Sequence, residues 1–252
     1  MPLHVIETGY GVPILWIHGF PLCSEVFANQ LSIDGARHIV PDLPGLCRSD
    51  PPKDHMTIPD YARAVLGVLD ERRVDKAVFA GLSMGGYIAL AAARMAPQRM
   101  LGLILIDTRE TPDSKEASQG RYMTISKVKL NGVGVVVDDM LPKMLTGNAP
   151  RSMVAGVKRI MSASTAEGVI AALAAMAERQ DSSDLLPEIK VPALVIVGEK
   201  DTIAPLADAE RMARALPNAK LVKIRGAAHL TNVECPAEFN AAVTEFLASV
   251  SF

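Results

Sequence analysis

The chain has 252 residues, of which 49% are hydrophobic and 21% are charged, so it is long enough to bury a large core within one α/β domain. Its formal net charge of −2 is nearly balanced and gives no support to nucleic acid or an anionic membrane as a partner. The N-terminus lacks the basic start and apolar stretch of a signal peptide, and no apolar run approaches the roughly 20 residues that span a bilayer. We therefore expect a cytoplasmic protein.

The first part of the chain alternates apolar segments with turns and helical patterns. Short strands are predicted at residues 3–7, 14–17 and 38–40. Residues 24–32 are predicted to form a short helix capped by Ser24. The segment 41–50 is dense in turn formers and is predicted to be a loop. Apolar residues at helical spacing over 59–72, with Pro59 in the first turn, predict a helix.

Residues 76–97 have the pattern of a strand, a sharp turn and a helix. The turn has the spacing Gly-x-Ser-x-Gly over 81–85, which places the Ser83 hydroxyl at its tip, where a strained conformation needs small neighbours. The helix that begins behind the serine directs unpaired N–H groups and a positive dipole end at any developing negative charge. This pattern favours a nucleophile, although a glycine-rich turn with no chemistry is the alternative interpretation.

The second part of the chain begins with a strand at 101–106 that ends in Asp107. Residues 108–187 show helical periodicity without convincing strands and predict about four helices folded over the sheet as a cap, with Met123, Met140 and Met144 as candidate pocket-lining residues. Methionine also fills irregular helical cores, so a purely structural role stays open. The remaining predicted elements are strands at 191–197 and 220–224 and helices at 205–216 and 236–249. This alternation predicts a mostly parallel sheet with helices on both faces.

A series of motifs in this order resembles the α/β-hydrolases over essentially the whole chain. They are His18-Gly19, Asp42-Leu43-Pro44-Gly45 with Arg48-Ser49, the Ser83 turn, Gly198-Glu199-Lys200-Asp201 and Ala228-His229. The segments 18–22, 106–109 and 229–236 are similar to small bacterial carboxylesterases and 3-oxoadipate enol-lactonase-like hydrolases. The resemblance implies an α/β-hydrolase fold with an eight-stranded, mostly parallel sheet, helices on both faces and a helical cap. It implies a core domain of 1–107 and 188–252, with the cap of 108–187 inserted after the sixth strand.

The loop after the third predicted strand departs from the family pattern. That pattern is Asp-x-Pro-Gly-x-Gly-x-Ser, and its second glycine is replaced here by Cys47. A side chain is restricted at positive φ, so we expect this loop to be strained or shifted. Cys47 is also an alternative nucleophile, but it has no strand-turn-helix element behind it. The three cysteines are scattered without a C-x-x-C pair, which favours reduced thiols over a disulfide framework or a zinc site.

A serine hydroxyl is a weak nucleophile at neutral pH and needs a base that is oriented by a third group. The resemblance assigns these catalytic roles to Ser83, His229 and Asp201, a Ser-His-Asp triad. Asp107 is the rival acid because it also ends a strand, and a helix cap or loop hydrogen bond is the structural alternative for either aspartate. The other histidines are expected to have structural roles or to lie in the wrong chain order; they are His4, His18, His38 and His55.

Stabilisation of a tetrahedral oxyanion requires hydrogen-bond donors directed at the developing charge. By resemblance these donors are the backbone N–H groups of Phe20 and Met84, and no cofactor or metal is implied. Related perhydrolases also have a proline after the aromatic residue of this loop, as Pro21 stands here, so peroxide is an alternative acyl acceptor to water.

The resemblance thus implies a serine esterase that cleaves carboxylic esters through an acyl-enzyme, with a small ester or lactone as its substrate. Three alternatives remain open at this point: an enol-lactone or lactone hydrolase, a perhydrolase or acyl transferase, and a ligand-sensing receptor that uses the same fold. Rapid multiple turnover would exclude the receptor, and partition of the acyl group in added alcohol or peroxide would reveal a transferase. The acyl length, the stereochemistry and the oligomeric state do not follow from the sequence.

Overall fold

The computed structural model describes residues 2–250, which contain one seven-stranded sheet in the order β1-β3-β2-β4-β5-β6-β7. The strands are β1 Val5–Gly9, β2 Val12–Ile17, β3 Ala36–Pro41, β4 Ala77–Leu82, β5 Met100–Ile106, β6 Ala193–Gly198 and β7 Ala219–Ile224. β1 pairs with β3 in the antiparallel sense, and all other neighbouring strands are parallel. The mostly parallel sheet is confirmed. The expected eighth strand is not found in residues 2–250. The seven strands there correspond to the seven apolar segments that were predicted as strands from the sequence.

Nine α-helices occur in the described part of the chain. They are α1 Ile58–Glu71, α2 Met84–Met95, α3 Lys115–Asn131, α4 Gly134–Met144, α5 Arg151–Met161, α6 Ala166–Ala177, α7 Leu206–Ala215, α8 Thr231–Glu234 and α9 Pro236–Leu247. Short 3₁₀ helices cover Ser24–Ser32, Pro97–Arg99 and Leu186–Glu188. The four helices α3 to α6 lie between β5 and β6, while the division of the chain into core and cap stays a prediction.

Among residues 2–250, no single helix has the length and apolar composition that crossing a membrane requires. The pair α5 and α6, which meet at a 90° bend, reaches that length and composition only when the two helices are taken together.

Two hydrophobic clusters cover the two faces of the sheet. Alternate residues of β2 enter opposite clusters: Leu15 and Ile17 enter one, and Ile14 and Trp16 enter the other. All of these side chains are fully buried. A strand buried on both faces needs apolar residues at every position, which explains why the run at 14–17 shows no polar alternation.

The 3₁₀ helix Ser24–Ser32 begins differently from the prediction. Cys23 is its N-cap residue, and no side chain caps the helix, so the predicted capping role of Ser24 is wrong. The N–H of Ser24 donates instead to Asp42 Oδ1 at 2.8 Å, and its hydroxyl accepts from Arg48 Nη2 at 2.8 Å. Ser24 therefore ties this helix to the loop that follows β3, because its polar groups find partners there before the helix begins.

The loop that follows β3 holds Cys47 at a φ of 51°. This positive φ confirms the expected strain at a position where the family pattern has glycine. The buried carboxylate of Asp42 stabilises the turn by accepting from Arg48 Nε at 2.9 Å, and the hydroxyl of Ser49 donates to the Asp42 carbonyl at 2.6 Å. Burial raises the pKa of Asp42, but hydrogen bonds from Ser24 and Arg48 outweigh burial and lower it.

The same loop makes a close backbone contact with α6. A Cβ atom built on Gly45 would lie 2.4 Å from the Cα of Gly168, and one built on Gly168 would lie 1.8 Å from the Gly45 carbonyl oxygen. The hydroxyl of Thr165, the N-cap of α6, also donates to the Gly45 carbonyl at 3.1 Å. Because neither position has room for a side chain, the two glycines let α6 rest directly on this loop.

Candidate active site

Ser83 occupies the single residue between β4 and α2, with a φ of 53° and a ψ of −115°. Glycine at the neighbouring positions makes this turn sterically feasible. A Cβ on Gly81 would lie 2.3 Å from the Gly85 carbonyl oxygen, and one on Gly85 would lie 1.9 Å from the Ile17 carbonyl oxygen. The predicted strand, sharp turn and helix are confirmed here, and the half-buried serine is held in a conformation that non-glycine residues rarely adopt.

Hydrogen bonds to the end of the neighbouring strand fix the backbone of Ser83. Its N–H donates to the Ile106 carbonyl at 2.9 Å, and its own carbonyl accepts from Gly86 N–H at 2.8 Å and from the Thr108 hydroxyl at 2.7 Å. Thr108 was not singled out in the sequence. The sequence feature that could have indicated it is a hydroxyl residue two positions after β5, at the edge of the sheet where the parallel strands end.

His229 and Asp201 form a buried pair at the same edge of the sheet. Nδ1 of His229 lies 2.8 Å from Asp201 Oδ2, and the two side chains are 1% and 0% exposed. The other carboxylate oxygen of Asp201 accepts from the N–H groups of Ile203 at 2.7 Å and Ala204 at 3.0 Å. These backbone donors fix the orientation of the carboxylate, which in turn fixes the imidazole and places a proton on Nδ1.

The second ring nitrogen of His229, Nε2, is buried and has no hydrogen-bond partner among residues 2–250. The structure thus brings Asp201 and His229 together, and it does not join His229 to Ser83 by a hydrogen bond. Ser83 follows β4, Asp201 follows β6 and His229 follows β7, so all three lie where parallel strands end at one edge of the sheet. In free enzymes such nucleophile–base contacts are often long and tighten when substrate binds.

The pKa of His229 is set by burial and by three ionisable residues. Burial alone would lower the pKa of His229, but the charge of Asp201 and its hydrogen bond outweigh burial, so the pKa is raised. In its ionised form Asp107 contributes in the same direction, and Arg109 opposes it. The imidazolium form is therefore stabilised, as a base that must hold a proton during a reaction requires.

Asp107, the rival acid, has different partners. Its Oδ1 accepts from Gly198 N–H at 2.9 Å, and its Oδ2 accepts from the Thr231 hydroxyl at 2.6 Å. Burial, followed by the nearby charge of Asp201, raises the pKa of Asp107 far above the usual carboxyl range. Asp107 therefore links the end of β6 to the segment that follows His229, and it makes no hydrogen bond to the imidazole.

The loop after β2 passes directly beside Ser83. A Cβ built on Gly19 would lie 3.0 Å from the Ser83 Cβ, so glycine favours this close approach. His18 fixes the loop because its Nδ1 donates to the Gly19 carbonyl at 2.8 Å and its Nε2 accepts from Leu43 N–H at 2.9 Å. Burial lowers the pKa of His18 and keeps it neutral, as this donor–acceptor pattern requires.

The two backbone N–H groups expected to bind an oxyanion flank Ser83. Phe20 continues the loop beside the serine, and Met84 is the first residue of α2. Within residues 2–250, neither N–H donates a hydrogen bond to the protein. Both groups are therefore unpaired donors, as electrostatic stabilisation of a developing negative charge requires.

A cavity of about 330 Å³ lies between Phe20, Ile203 and the helices α3, α4 and α6. Its charged lining residues form two ion pairs, Arg121 with Asp113 and Lys143 with Asp139. Its apolar lining includes Phe20, Val136, Met140, Leu173 and Ile203. Of the methionines considered in the sequence, Met140 therefore lines the cavity, while Met144 is fully buried and Met123 is 62% exposed.

Cys47 does not have the properties of a nucleophile. A hydrogen bond with Cys23, followed by burial, raises the pKa of the Cys47 thiol, so the reactive thiolate is disfavoured. Its sulfur also lies 3.9 Å from the Ile160 carbonyl of α5, and among residues 2–250 no strand, turn and helix element positions it. In the part of the chain that the structure describes, no group of three or more His, Cys, Asp or Glu side chains is arranged to hold a metal ion.

Comparisons with known proteins agree with this architecture. The model of the Alpha/beta hydrolase family matches residues 14–242. A thermophilic esterase from Thermogutta terrifontis superimposes with a TM-score of 0.95 at 37% identity, covering 99% of this chain and 94% of that one. The enol-lactonase from Burkholderia xenovorans LB400 superimposes with a TM-score of 0.91 at 27% identity, covering 98% and 96%. The 3-oxoadipate enol-lactonase 2 of Acinetobacter baylyi is 26% identical over 80% of this chain and 75% of its own. The protein is therefore a hydrolase that belongs to the alpha/beta hydrolase family.

Proposed function

We propose that this protein is a serine hydrolase that cleaves carboxylic esters through an acyl-enzyme, with Ser83 as nucleophile, His229 as base and Asp201 as the orienting acid. The observation that supports this most directly is the buried pair of His229 and Asp201, with Nδ1 occupied at 2.8 Å and Nε2 left without a partner. A base held by one ring nitrogen and free at the other is the arrangement that activates a serine hydroxyl.

The chemistry then proceeds in two half-reactions. The Oγ of Ser83 attacks the ester carbonyl carbon while Nε2 of His229 takes the hydroxyl proton, and Asp201 stabilises the imidazolium that forms. Collapse of the tetrahedral intermediate breaks the ester bond, and the imidazolium gives its proton to the leaving alcohol. Water then attacks the acyl-enzyme, with His229 again acting as base, and the carboxylic acid is released.

The N–H groups of Phe20 and Met84 are proposed to bind the oxyanion in both half-reactions. They are unpaired in the free protein and lie on elements that flank Ser83. Preorganised donors of this kind contribute without reorganising during the reaction, and removal of one costs roughly 10²- to 10³-fold in rate. No cofactor or metal enters the proposed mechanism.

The cavity adjoins the proposed site through Phe20 and Ile203, and its lining favours a small uncharged ester. Each cation in its lining is paired with a carboxylate in the same lining, so no charged group is left to bind a charged substrate. The similarity to the Thermogutta esterase supports an ester as the first candidate. The similarity to two enol-lactonases makes a lactone, which is a cyclic ester attacked by the same chemistry, the second candidate.

Purified protein should hydrolyse p-nitrophenyl acetate and butyrate with a kcat/KM at least about tenfold above that for the decanoate ester. The reason is that the cavity of about 330 Å³ is bounded by three helices. The measurement is a side-by-side turnover screen of p-nitrophenyl esters of increasing length, simple lactones and an enol-lactone. If kcat/KM for the enol-lactone exceeds that for every ester by orders of magnitude, a lactone replaces an ester as the first candidate. Absence of multiple turnover with all of these substrates would contradict the proposal.

The pH dependence of kcat/KM should show an acid limb with a midpoint above about 6.5. His229 acts as a base only when it is neutral, so activity falls as the pH drops through its pKa. That pKa is raised, because the charge and hydrogen bond of Asp201 outweigh burial. Initial rates measured by pH-stat from about pH 5 to pH 9 would test this expectation. A midpoint below that of free histidine would show that His229 does not titrate against Asp201 as proposed.

A further inference from the structure

Glu234, at the end of the short helix α8, is placed to control the position of His229. Its half-buried carboxylate accepts hydrogen bonds from two parts of the chain. One oxygen accepts from the N–H of Thr146 at 2.8 Å and from the Thr146 hydroxyl at 2.5 Å. The other oxygen accepts from the N–H of Ala228 at 2.7 Å. One carboxylate thus joins the residue directly before His229 to the segment that follows α4.

A second link joins the other side of His229 to the same segment. The N–H of Leu230 donates to the carbonyl of Met144, the last residue of α4, at 3.1 Å. Leu230 and Met144 are both fully buried. Ala228 is therefore linked through Glu234 to Thr146, just beyond α4, and Leu230 is bonded directly to the last residue of α4.

The helix α4 also forms part of the cavity wall. Val136, Asp139, Met140 and Lys143 on this helix line the cavity beside Phe20. The hydrogen bonds of Glu234 consequently link the loop that carries His229 to the segment that follows this helix of the cavity wall.

We infer that Glu234 is a positioning residue. It holds the loop that carries His229 against the segment after α4, so that the imidazole keeps a fixed position relative to the cavity wall. This inference rests on the proposed function, in which His229 is the base. Glu234 itself does not take part in proton transfer. It acts through the backbone of Ala228, and such alignment matters because a misplacement of about 1 Å in a reacting group can cost 10²-fold in rate.

Glu234→Gln should lower kcat about tenfold or more while KM stays within about twofold. The amide has one acceptor oxygen, so either Thr146 or Ala228 loses its acceptor and the loop loosens. The acid limb of kcat/KM should also move to lower pH, because a looser loop weakens the contact between His229 and Asp201. The other ionisable groups that face His229, Asp107 and Arg109, are unchanged by this substitution.

Matched variants separate positioning from loss of charge or of stability. Glu238→Gln removes the same charge from an exposed residue on α9 and should behave as wild type. Thr146→Val removes only the hydrogen bond of the hydroxyl and should lower kcat, as Glu234→Gln does. Thr146→Ser keeps a hydroxyl at this position and should have the kcat of wild type. A loss of kcat with an unshifted acid limb, or wild-type kinetics in both Glu234→Gln and Thr146→Val, would overturn the inference.

A readout without turnover keeps this test independent of the proposed function. NMR titration of the His229 imidazole, assigned with His229→Gln, should give a lower pKa in Glu234→Gln than in wild type. If the wild-type protein hydrolyses no ester or lactone, the proposed function is contradicted. The shift in the pKa of His229 would still show whether Glu234 positions this histidine. An unchanged titration in a folded Glu234→Gln variant would refute the positioning role.

Discussion

Ser83→Ala should lower kcat for p-nitrophenyl acetate by about 10⁴-fold or more, which corresponds to about 5.5 kcal/mol of transition-state stabilisation. The variant keeps the turn, the cavity and both unpaired N–H donors and loses only the oxygen that attacks the carbonyl. The remaining rate should therefore come from binding and the oxyanion donors alone. Initial-rate kinetics on the purified variant are the measurement, and retained turnover would contradict the assignment of Ser83.

Two controls support the interpretation of this result. The thermal midpoint of Ser83→Ala should stay close to that of wild type, because alanine has the same difficulty at a φ of 53° as serine. The double variant Ser83→Ala with His229→Ala should be no slower than either single variant within about tenfold, since residues that act as one unit are not additive. An additive loss in the double variant would mean that the two residues act separately.

Asp201→Asn should lower kcat by about 10⁴-fold, because an amide can donate to Nδ1 and so favours the wrong tautomer of His229. The contact concerned is the 2.8 Å bond between Asp201 Oδ2 and His229 Nδ1. The acid limb of any residual activity should move to lower pH, since the negative charge that raises the pKa of His229 is gone. Kinetics across the pH range would measure both effects.

Asp107→Asn is the matched comparison, because it makes the same change in the rival acid. Burial and the charge of Asp201 raise the pKa of Asp107, so an uncharged amide is a close substitute there. We expect a loss in kcat of no more than about tenfold, with any larger effect on the melting temperature through the bonds to Gly198 and Thr231. A greater kcat loss in Asp107→Asn than in Asp201→Asn would reverse the assignment of the two acids.

The sequence was sufficient for those features that depend on local patterns. The Ser83 turn follows from glycines at fixed spacing between an apolar strand and an alanine-rich helix, and the mostly parallel sheet follows from the alternation of strands and helices. The choice between Asp201 and Asp107 could not be made from pattern alone, because both aspartates end parallel strands. Only the distances show that Asp201 contacts the imidazole and that Asp107 instead contacts Gly198 and Thr231.

Features that join distant segments could not be predicted. The bond between Glu234 and Thr146 spans 88 positions, and nothing in the local sequence of either residue indicates the other. The lining of the cavity depends on how α3, α4 and α6 pack, which separates Met140 from Met144 although both have the same helical periodicity. The N-cap at Cys23 was also missed, because the hydrogen bonds of Ser24 to the loop after β3 are tertiary contacts.

The contact between Gly45 and Gly168 restricts how this protein can change over evolutionary time. A Cβ on Gly45 would lie only 2.4 Å from the Cα of Gly168, so even a methyl group at this position would clash with the backbone of α6. A second substitution cannot relieve this clash, since both residues are glycine and have no side chain that could be made smaller. A side chain at either glycine would therefore require α6 to move away from the loop after β3.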